Sequence, residues 1–272
     1  MKEDYLKQLR QNRKEEGRGF EAADREASIR ILKALLALLY PGYFSAEGRK
    51  ERENLAYLEE TLPGIIRAAY EMAGESCPDP EETAQTYLAG LPDLLARLEK
   101  DVEAIYEGDP AARSREEIVL CYPGFYAIAI FRLAHAFYAL HVPLLPRIMT
   151  EYAHAKTGID IHPGAEIGDY FCIDHGTGIV IGETTTIGDH VKLYQGVTLG
   201  ARSFELDENG NPVKKIKRHP DIGNYVVIYA NATILGGDTV IGDRCVIGGN
   251  TWLTRSVPAG STVAYTATGN QQ

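Results

Sequence analysis

The chain has 272 residues, 44% hydrophobic and 24% charged, the balance of an ordinary globular protein with room for one large domain or two modest ones. Its formal net charge of −10 argues against general affinity for nucleic acid or an anionic membrane, because both need basic surface. No apolar stretch is long enough to span a bilayer, residues 1–13 are too polar for a signal peptide, and Cys77, Cys121, Cys172 and Cys245 show no CxxC spacing, so the compartment reads as cytoplasmic.

Residues 1 to about 157 read as an all-helical domain. Ile29, Ile31, Leu32, Leu35, Leu36, Leu38 and Leu39 form an apolar segment that stops at Pro41-Gly42. Leu55, Leu58, Leu62, Ile65 and Ile66 follow. Tyr87, Leu88, Leu91, Leu94, Leu95 and Leu98 then recur at spacings of three and four, which line one face of a helix. The most apolar run, 127–140, is broken by Arg132 and His135, and a last helix near 146–155 leads into the second half.

From Gly158 the period becomes six. Ile161, Ile167, Ile173 and Ile179 are six apart; after a slip of two, Ile181, Ile187, Leu193 and Leu199 repeat the spacing. Ile222, Ile228 and Ile234 form a third run. Ile241, Ile247 and Leu253 complete the set after one extra residue at Gly236-Gly237. A hexapeptide period is the signature of a parallel β-helix: each unit is a short strand plus a corner, and its inward aliphatic stacks on copies above and below. This second domain is expected over 158–260, followed by a tail, 261–272. The polar segment 201–220 contains Asp207-Glu208-Asn209-Gly210-Asn211-Pro212, a strong turn signal, and is expected to leave the stack as an external loop.

Several motifs carry a resemblance. Asp160-Ile161-His162-Pro163 is followed by Asp174-His175-Gly176-Thr177-Gly178-Ile179-Val180-Ile181-Gly182-Glu183-Thr184, then Gly196-Val197-Thr198-Leu199-Gly200 and Arg218-His219-Pro220. Upstream lie Asp109-Pro110-Ala111 and Gly124-Phe125-Tyr126-Ala127, with Arg132 and His135. In this order they resemble the serine O-acetyltransferases, hexapeptide-repeat acyltransferases of cysteine biosynthesis. The resemblance covers roughly residues 104–259. It implies an α+β chain in which an N-terminal helical domain precedes a left-handed parallel β-helix. It also implies a homotrimer or a dimer of trimers, with active sites between neighbouring subunits, and acetyl-coenzyme A as co-substrate without metal or prosthetic group.

Residue by residue, the resemblance assigns His175 as the general base that deprotonates the L-serine hydroxyl. Asp160 is its orienting carboxylate. Imidazole suits the task, since its ordinary pKa of about 6.5 lies near working pH. Asp109 and Asp174 match positions that bind the substrate ammonium; Arg218 and His219 match those that bind its carboxylate. Gly200, Ala201, Ala230, Gly248 and Gly249 match coenzyme A contacts, although β-helix corners need small residues in any case. Asp109 also reads as a plain turn residue. Lys214, Lys215 and Lys217 form the densest basic cluster, which either meets coenzyme A phosphates or decorates a solvated hairpin. L-cysteine, with sulfur in place of oxygen, is expected as a feedback inhibitor. The final residues, Thr268-Gly269-Asn270-Gln271-Gln272, lack the terminal isoleucine by which relatives dock on O-acetylserine sulfhydrylase, so a complex through this tail is not expected.

Three other readings stay open. A hexapeptide acetyltransferase could take another hydroxyl acceptor: homoserine, a sugar or an antibiotic. A zinc hydrolyase on the same scaffold would need three of His162, His175, His190 and His219 to converge on one metal. The β-helix could also be a scaffold without catalysis.

Overall fold

The structure, a computed structural model, describes Tyr5, Lys7, Gln8, residues 22–214 and residues 216–264. Among these, seven helices precede the first strand: α1 (Ala22–Leu39), α2 (Glu51–Ala73), α3 (Pro80–Ala89), α4 (Leu91–Gly108), α5 (Arg115–Cys121), α6 (Pro123–Ala139) and α7 (Leu145–Thr157). Their ends follow local chemistry. The Asp79 carboxylate accepts from the Glu81 and Glu82 amides at the start of α3, and Ser114 accepts from Glu117 at the start of α5. Gly74 and Gly158 close α2 and α7 in the left-handed conformation.

Fourteen short strands follow, in five turns of a parallel solenoid. The first face carries β1 (Asp160–Ile161), β4 (Val180–Ile181), β7 (Thr198–Gly200), β10 (Thr233–Leu235) and β13 (Trp252–Leu253). The second carries β2 (Glu166–Ile167), β5 (Thr186–Ile187), β8 (Asp221–Ile222) and β11 (Val240–Ile241). The third carries β3 (Cys172–Asp174), β6 (Lys192–Tyr194), β9 (Val227–Ile228), β12 (Val246–Ile247) and β14 (Thr262–Val263). The six-residue period is this register. Ile161, Ile181, Leu199, Ile234 and Leu253 pair in one column, and Ile173, Leu193, Ile228, Ile247 and Val263 in another. All but Leu253 and Val263 are buried. At about 0.8 kcal/mol per buried methylene, these columns hold the stack together without help from long strands.

Two details differ from the periodic expectation. Ile181, not Ile179, stands over Ile161; Ile179 is buried at the corner, where its carbonyl accepts from the Asp160 amide at 2.9 Å. The solenoid also runs past residue 260, because Thr262–Val263 pair with β12. The end of the expected tail, 265–272, and Lys215 lie outside the described residues. Segment 201–220 leaves the stack between β7 and β8 as a hairpin, closed by a Leu206–Pro212 bridge and by the Asp207 carboxylate accepting from the Asn209 and Asn211 amides.

One buried ion pair ties the helices to the solenoid. The Arg132 guanidinium donates to both Asp101 oxygens and to the Ile167 and Gly168 carbonyls, while Asp101 also accepts from the Phe171 amide. This explains a charge inside the most apolar helix: each guanidinium nitrogen has an acceptor on Asp101 or at the corner between β2 and β3. Gly124 completes the contact, for a Cβ there would lie 2.4 Å from the Ile173 carbonyl oxygen.

Candidate active site

The edge between the third and first faces carries one set of polar side chains. β3 ends at Asp174, and His175 turns the corner with φ 59°, followed by Gly176 at φ 91°. His190, Tyr225, Asn231 and Asn250 turn other corners with the same left-handed backbone, so this conformation belongs to the solenoid and not to catalysis. Its effect is to lift the imidazole out of the stack: the His175 side chain is 72% exposed, with Nε2 3.7 Å from the Asp174 carboxylate. Asp109 arrives from the C-terminus of α4. Its carboxylate accepts from the Tyr122 hydroxyl at 2.7 Å and the Ala111 amide at 2.8 Å. Those hydrogen bonds, Tyr122 first, hold the Asp109 carboxyl below the usual range, and the same bond pushes the Tyr122 phenol up to about 12. Between Asp109 and Asp174 sits Lys192, its Nζ 2.9 Å from Asp174 and donating to the Gly108 carbonyl at 2.7 Å.

A second set lies at the edge between the first and second faces. His219 packs on Gly182, where an added Cβ would overlap its ring. Its Nδ1 accepts from the Thr184 amide at 3.1 Å, which leaves the proton on Nε2. Burial, reinforced by the neighbouring Arg218 charge, lowers the His219 pKa to about 4. The Arg218 guanidinium is paired with Glu183, and its backbone amide donates to the Thr184 hydroxyl. Burial, the largest influence, would raise the Glu183 carboxyl, but the hydrogen bond and charge of Arg218, the His162 ring and the Tyr138 hydroxyl together outweigh it and hold the group low.

The expected site residues therefore fall on two edges of one chain. Asp109, Asp174, His175, Ala230, Gly248 and Gly249 belong to the first, with the Asn250 amide donating to the Ala230 carbonyl one turn below. Gly200, Ala201, Arg218 and His219 belong to the second, and the chain between Asp174 and Gly182 crosses the whole first face. Asp160 lies on that face beneath Val180, 3.8 Å from Arg147, and no hydrogen bond joins it to His175 among the described residues. Lys217 is not a free phosphate ligand here: its Nζ donates to the Thr184 carbonyl and is paired with Asp221.

No three of the four candidate histidines converge among the described residues. Among the described residues Glu151, His154 and Asp160 form a metal-like grouping, but the Arg147 cation already bridges Glu151 and Asp160. A cavity of about 370 Å³ lies apart from both edges, between α3, α4 and α6, and contains none of the expected site residues.

Sequence reasoning missed Tyr122, Glu183 and Lys192. The signal for Lys192 was coil arithmetic: one full turn carries Ile161 to Ile181, and the same step carries Cys172 to Lys192 and Asp174 to Tyr194.

No family model matches the chain. Among curated proteins, a plasmid-encoded serine acetyltransferase of Synechococcus elongatus is 58% identical over 183 residues, which is 67% of this chain and 57% of that protein. The chain thus spans little more than half the length of this relative. A serine acetyltransferase of Helicobacter pylori is 45% identical over 165 residues, 61% of this chain and 91% of that protein. Among solved structures, Entamoeba histolytica serine acetyltransferase 1 in complex with L-cysteine aligns with a TM-score of 0.76 at 36% identity, covering 86% of each chain. Serine acetyltransferase from Brucella abortus in complex with coenzyme A aligns at 0.62 and 26% identity, covering 91% of this chain and 81% of that one.

Proposed function

The chain belongs to the serine acetyltransferase family, and from that premise we propose that it moves the acetyl group of acetyl-coenzyme A onto the hydroxyl of L-serine, giving O-acetylserine and coenzyme A. The observation that carries the reading is the pairing of an exposed imidazole, His175, with two carboxylates, Asp174 and Asp109, on one edge. A zwitterionic acceptor places its ammonium on the carboxylates, and its hydroxyl then lies within reach of the base. A neutral sugar or antibiotic acceptor brings no ammonium to these carboxylates.

In the chemical step the serine oxygen attacks the thioester carbonyl while His175 Nε2 takes the hydroxyl proton, a contribution typically worth ~10²–10⁴-fold. The tetrahedral intermediate places a negative charge on the former carbonyl oxygen, and backbone amides of 196–201 are the candidate donors for it. Collapse breaks the carbon–sulfur bond, and the imidazolium returns its proton to the departing thiolate of coenzyme A. The cofactor is assigned to the small residues Ala230, Gly248 and Gly249 on the edge of the base and to Gly200 and Ala201 on the other.

Arg218 and His219 complete the site from a neighbouring copy of the chain. His219, neutral with its proton on Nε2, donates one hydrogen bond to the serine carboxylate, and Arg218 supplies the charge. Asp160, on the face between the two edges, serves as the orienting carboxylate for the neighbour's His175. A trimer in which the edge of one subunit lies on the first face of the next joins all these groups. That the expected residues lie on separate edges of one chain supports this assembly. L-cysteine presents the same ammonium and carboxylate and competes with serine.

Thiol release from acetyl-coenzyme A, followed with serine, homoserine and threonine and with no acceptor, tests the reading. Serine should give the highest kcat/KM, and His175→Ala should cut kcat by ~10²–10⁴-fold with the oligomer intact. Near wild-type turnover in that variant removes His175 from the mechanism, and a preference for another acceptor removes serine.

A further inference from the structure

Lys192 lies where a ligand's ammonium is expected. It projects from β6 one turn above Cys172, and its side chain is only 15% exposed. Its Nζ is 2.9 Å from an Asp174 oxygen and 2.7 Å from the Gly108 carbonyl, and 4.5 Å from the centre of the Tyr194 ring. A carboxylate, a carbonyl and an aromatic face are together the shell that an α-ammonium takes up in a protein. The other carboxylate of the pocket, Asp109, already accepts from Tyr122 and Ala111. Lys192 thus holds one oxygen of Asp174, and the other faces His175 Nε2 at 3.7 Å.

We infer that Lys192 is a tethered competitor for the amino group of the acceptor: it fills the ammonium position between Asp174 and Gly108 and must yield it when serine or L-cysteine binds. The inference rests on the reading that Asp174 receives the substrate ammonium. Its consequence is regulatory. Ligand affinity is set by an exchange of one cation for another on Asp174 instead of by neutralisation of a free carboxylate. Such an exchange returns little of the charge-assisted hydrogen bond, which is among the stronger polar contacts. The enzyme is thereby held to weak binding of serine and, in equal measure, to weak feedback by L-cysteine. The Tyr194 ring under the ammonium stacks in turn on the exposed ring of Tyr229 at 5.0 Å.

Lys192→Met keeps the length of the stem and removes the charge. The variant should show a serine KM lower by on the order of ten-fold and an L-cysteine inhibition constant lower by a similar factor, with the acetyl-coenzyme A KM unchanged. Calorimetric titration with L-cysteine should give the same factor without reference to turnover. A folded variant with serine KM unchanged or raised overturns the inference; a raised value makes Lys192 a direct ligand of the substrate. The wild-type protein offers a second test that needs no variant. 3-Mercaptopropionate, which lacks the amino group, should bind within about ten-fold of L-cysteine, because Lys192 then stays on Asp174. A loss of a hundred-fold or more overturns the inference. Wild-type protein that binds L-cysteine but does not acetylate serine sinks the parent reading alone, whereas serine acetylation with unchanged affinities in Lys192→Met sinks this inference alone.

Discussion

His219 shows how one side chain is tuned by its surroundings. It is 7% exposed, accepts a hydrogen bond at Nδ1, and has Arg218 as its neighbour, so protonation is opposed by burial first and by charge second. Its pKa of about 4 in the folded chain lies below the ~6.5 of an unfolded imidazole. Between those values the unfolded state binds more protons. The stabilising effect of keeping His219 neutral is therefore whole above pH 6.5 and is lost as the pH falls toward 4, a swing on the order of 3 kcal/mol, of which about 2 kcal/mol falls between pH 7.5 and 5.0. Urea midpoints at pH 7.5 and 5.0 should differ accordingly, and His219→Asn should flatten the difference; an unchanged pH dependence would assign the effect to other groups. Arg218 yields a kinetic prediction. Arg218→Ala should raise the serine KM by ten-fold or more and leave the acetyl-coenzyme A KM nearly unchanged, since the guanidinium is assigned to the amino acid's carboxylate, a bond worth about 1.5–3 kcal/mol. The opposite pattern in steady-state kinetics would move Arg218 to the nucleotide.

At the scale of elements, the junction of helices and solenoid depends on α6. Arg132 and Asp101 are both buried and satisfy each other and three backbone groups. Removing one partner leaves a buried charge, which costs about 3–5 kcal/mol, while replacing both by apolar groups is often neutral. Arg132→Met should therefore destabilise strongly, and adding Asp101→Leu should recover much of the loss in the urea midpoint. Additive losses would mean that the pair contributes through packing alone. The corner at Gly182 is equally specific. Gly182→Ala would drive a Cβ into the His219 ring, so the ring must leave its place over Thr184. The expected outcome is a stability loss of about 1–3 kcal/mol together with a raised serine KM. A variant with both values unchanged would show that the ring's position there has no role in binding.

The whole molecule divides the expected site between two edges, and this makes the assembly testable. His175→Ala and Arg218→Ala damage different edges of the same chain. In a trimer whose sites lie between subunits, mixing the two variants after dissociation and reassociation restores sites that combine an intact edge from each chain. Activity of the mixture should rise well above that of either variant alone. Activity no higher than the mean of the two would place every site within a single chain. The test reads catalysis, so it separates a functional interface from mere association, which sedimentation alone does not.

Local sequence carried the scaffold, because a six-residue period of aliphatics admits only a stack in which each coil covers the next. It also carried the turn of the external hairpin, where Asp207 and Gly210 bend the chain through contacts within a few residues. The role given to His175 came from the resemblance, and its lift out of the column belongs to a left-handed corner that His190, Tyr225, Asn231 and Asn250 share. What local sequence could not supply was the choice of partner. Lys192 reaches Asp174 and Gly108 only because a coil of twenty residues brings β6 over β3 while the end of α4 docks beside them. Glu183 meets Arg218 only because the extruded segment returns to the same edge. Asp160, expected to orient His175, lies 3.8 Å from Arg147 within its own chain, because a strand residue stacks on its registered neighbour, here Val180, and not on the corner residue that follows β3. Hydrophobic period is a property of consecutive residues and survives in one dimension. Electrostatic partnership depends on separations of a few ångströms between residues far apart in sequence, and only the three-dimensional stack determines those.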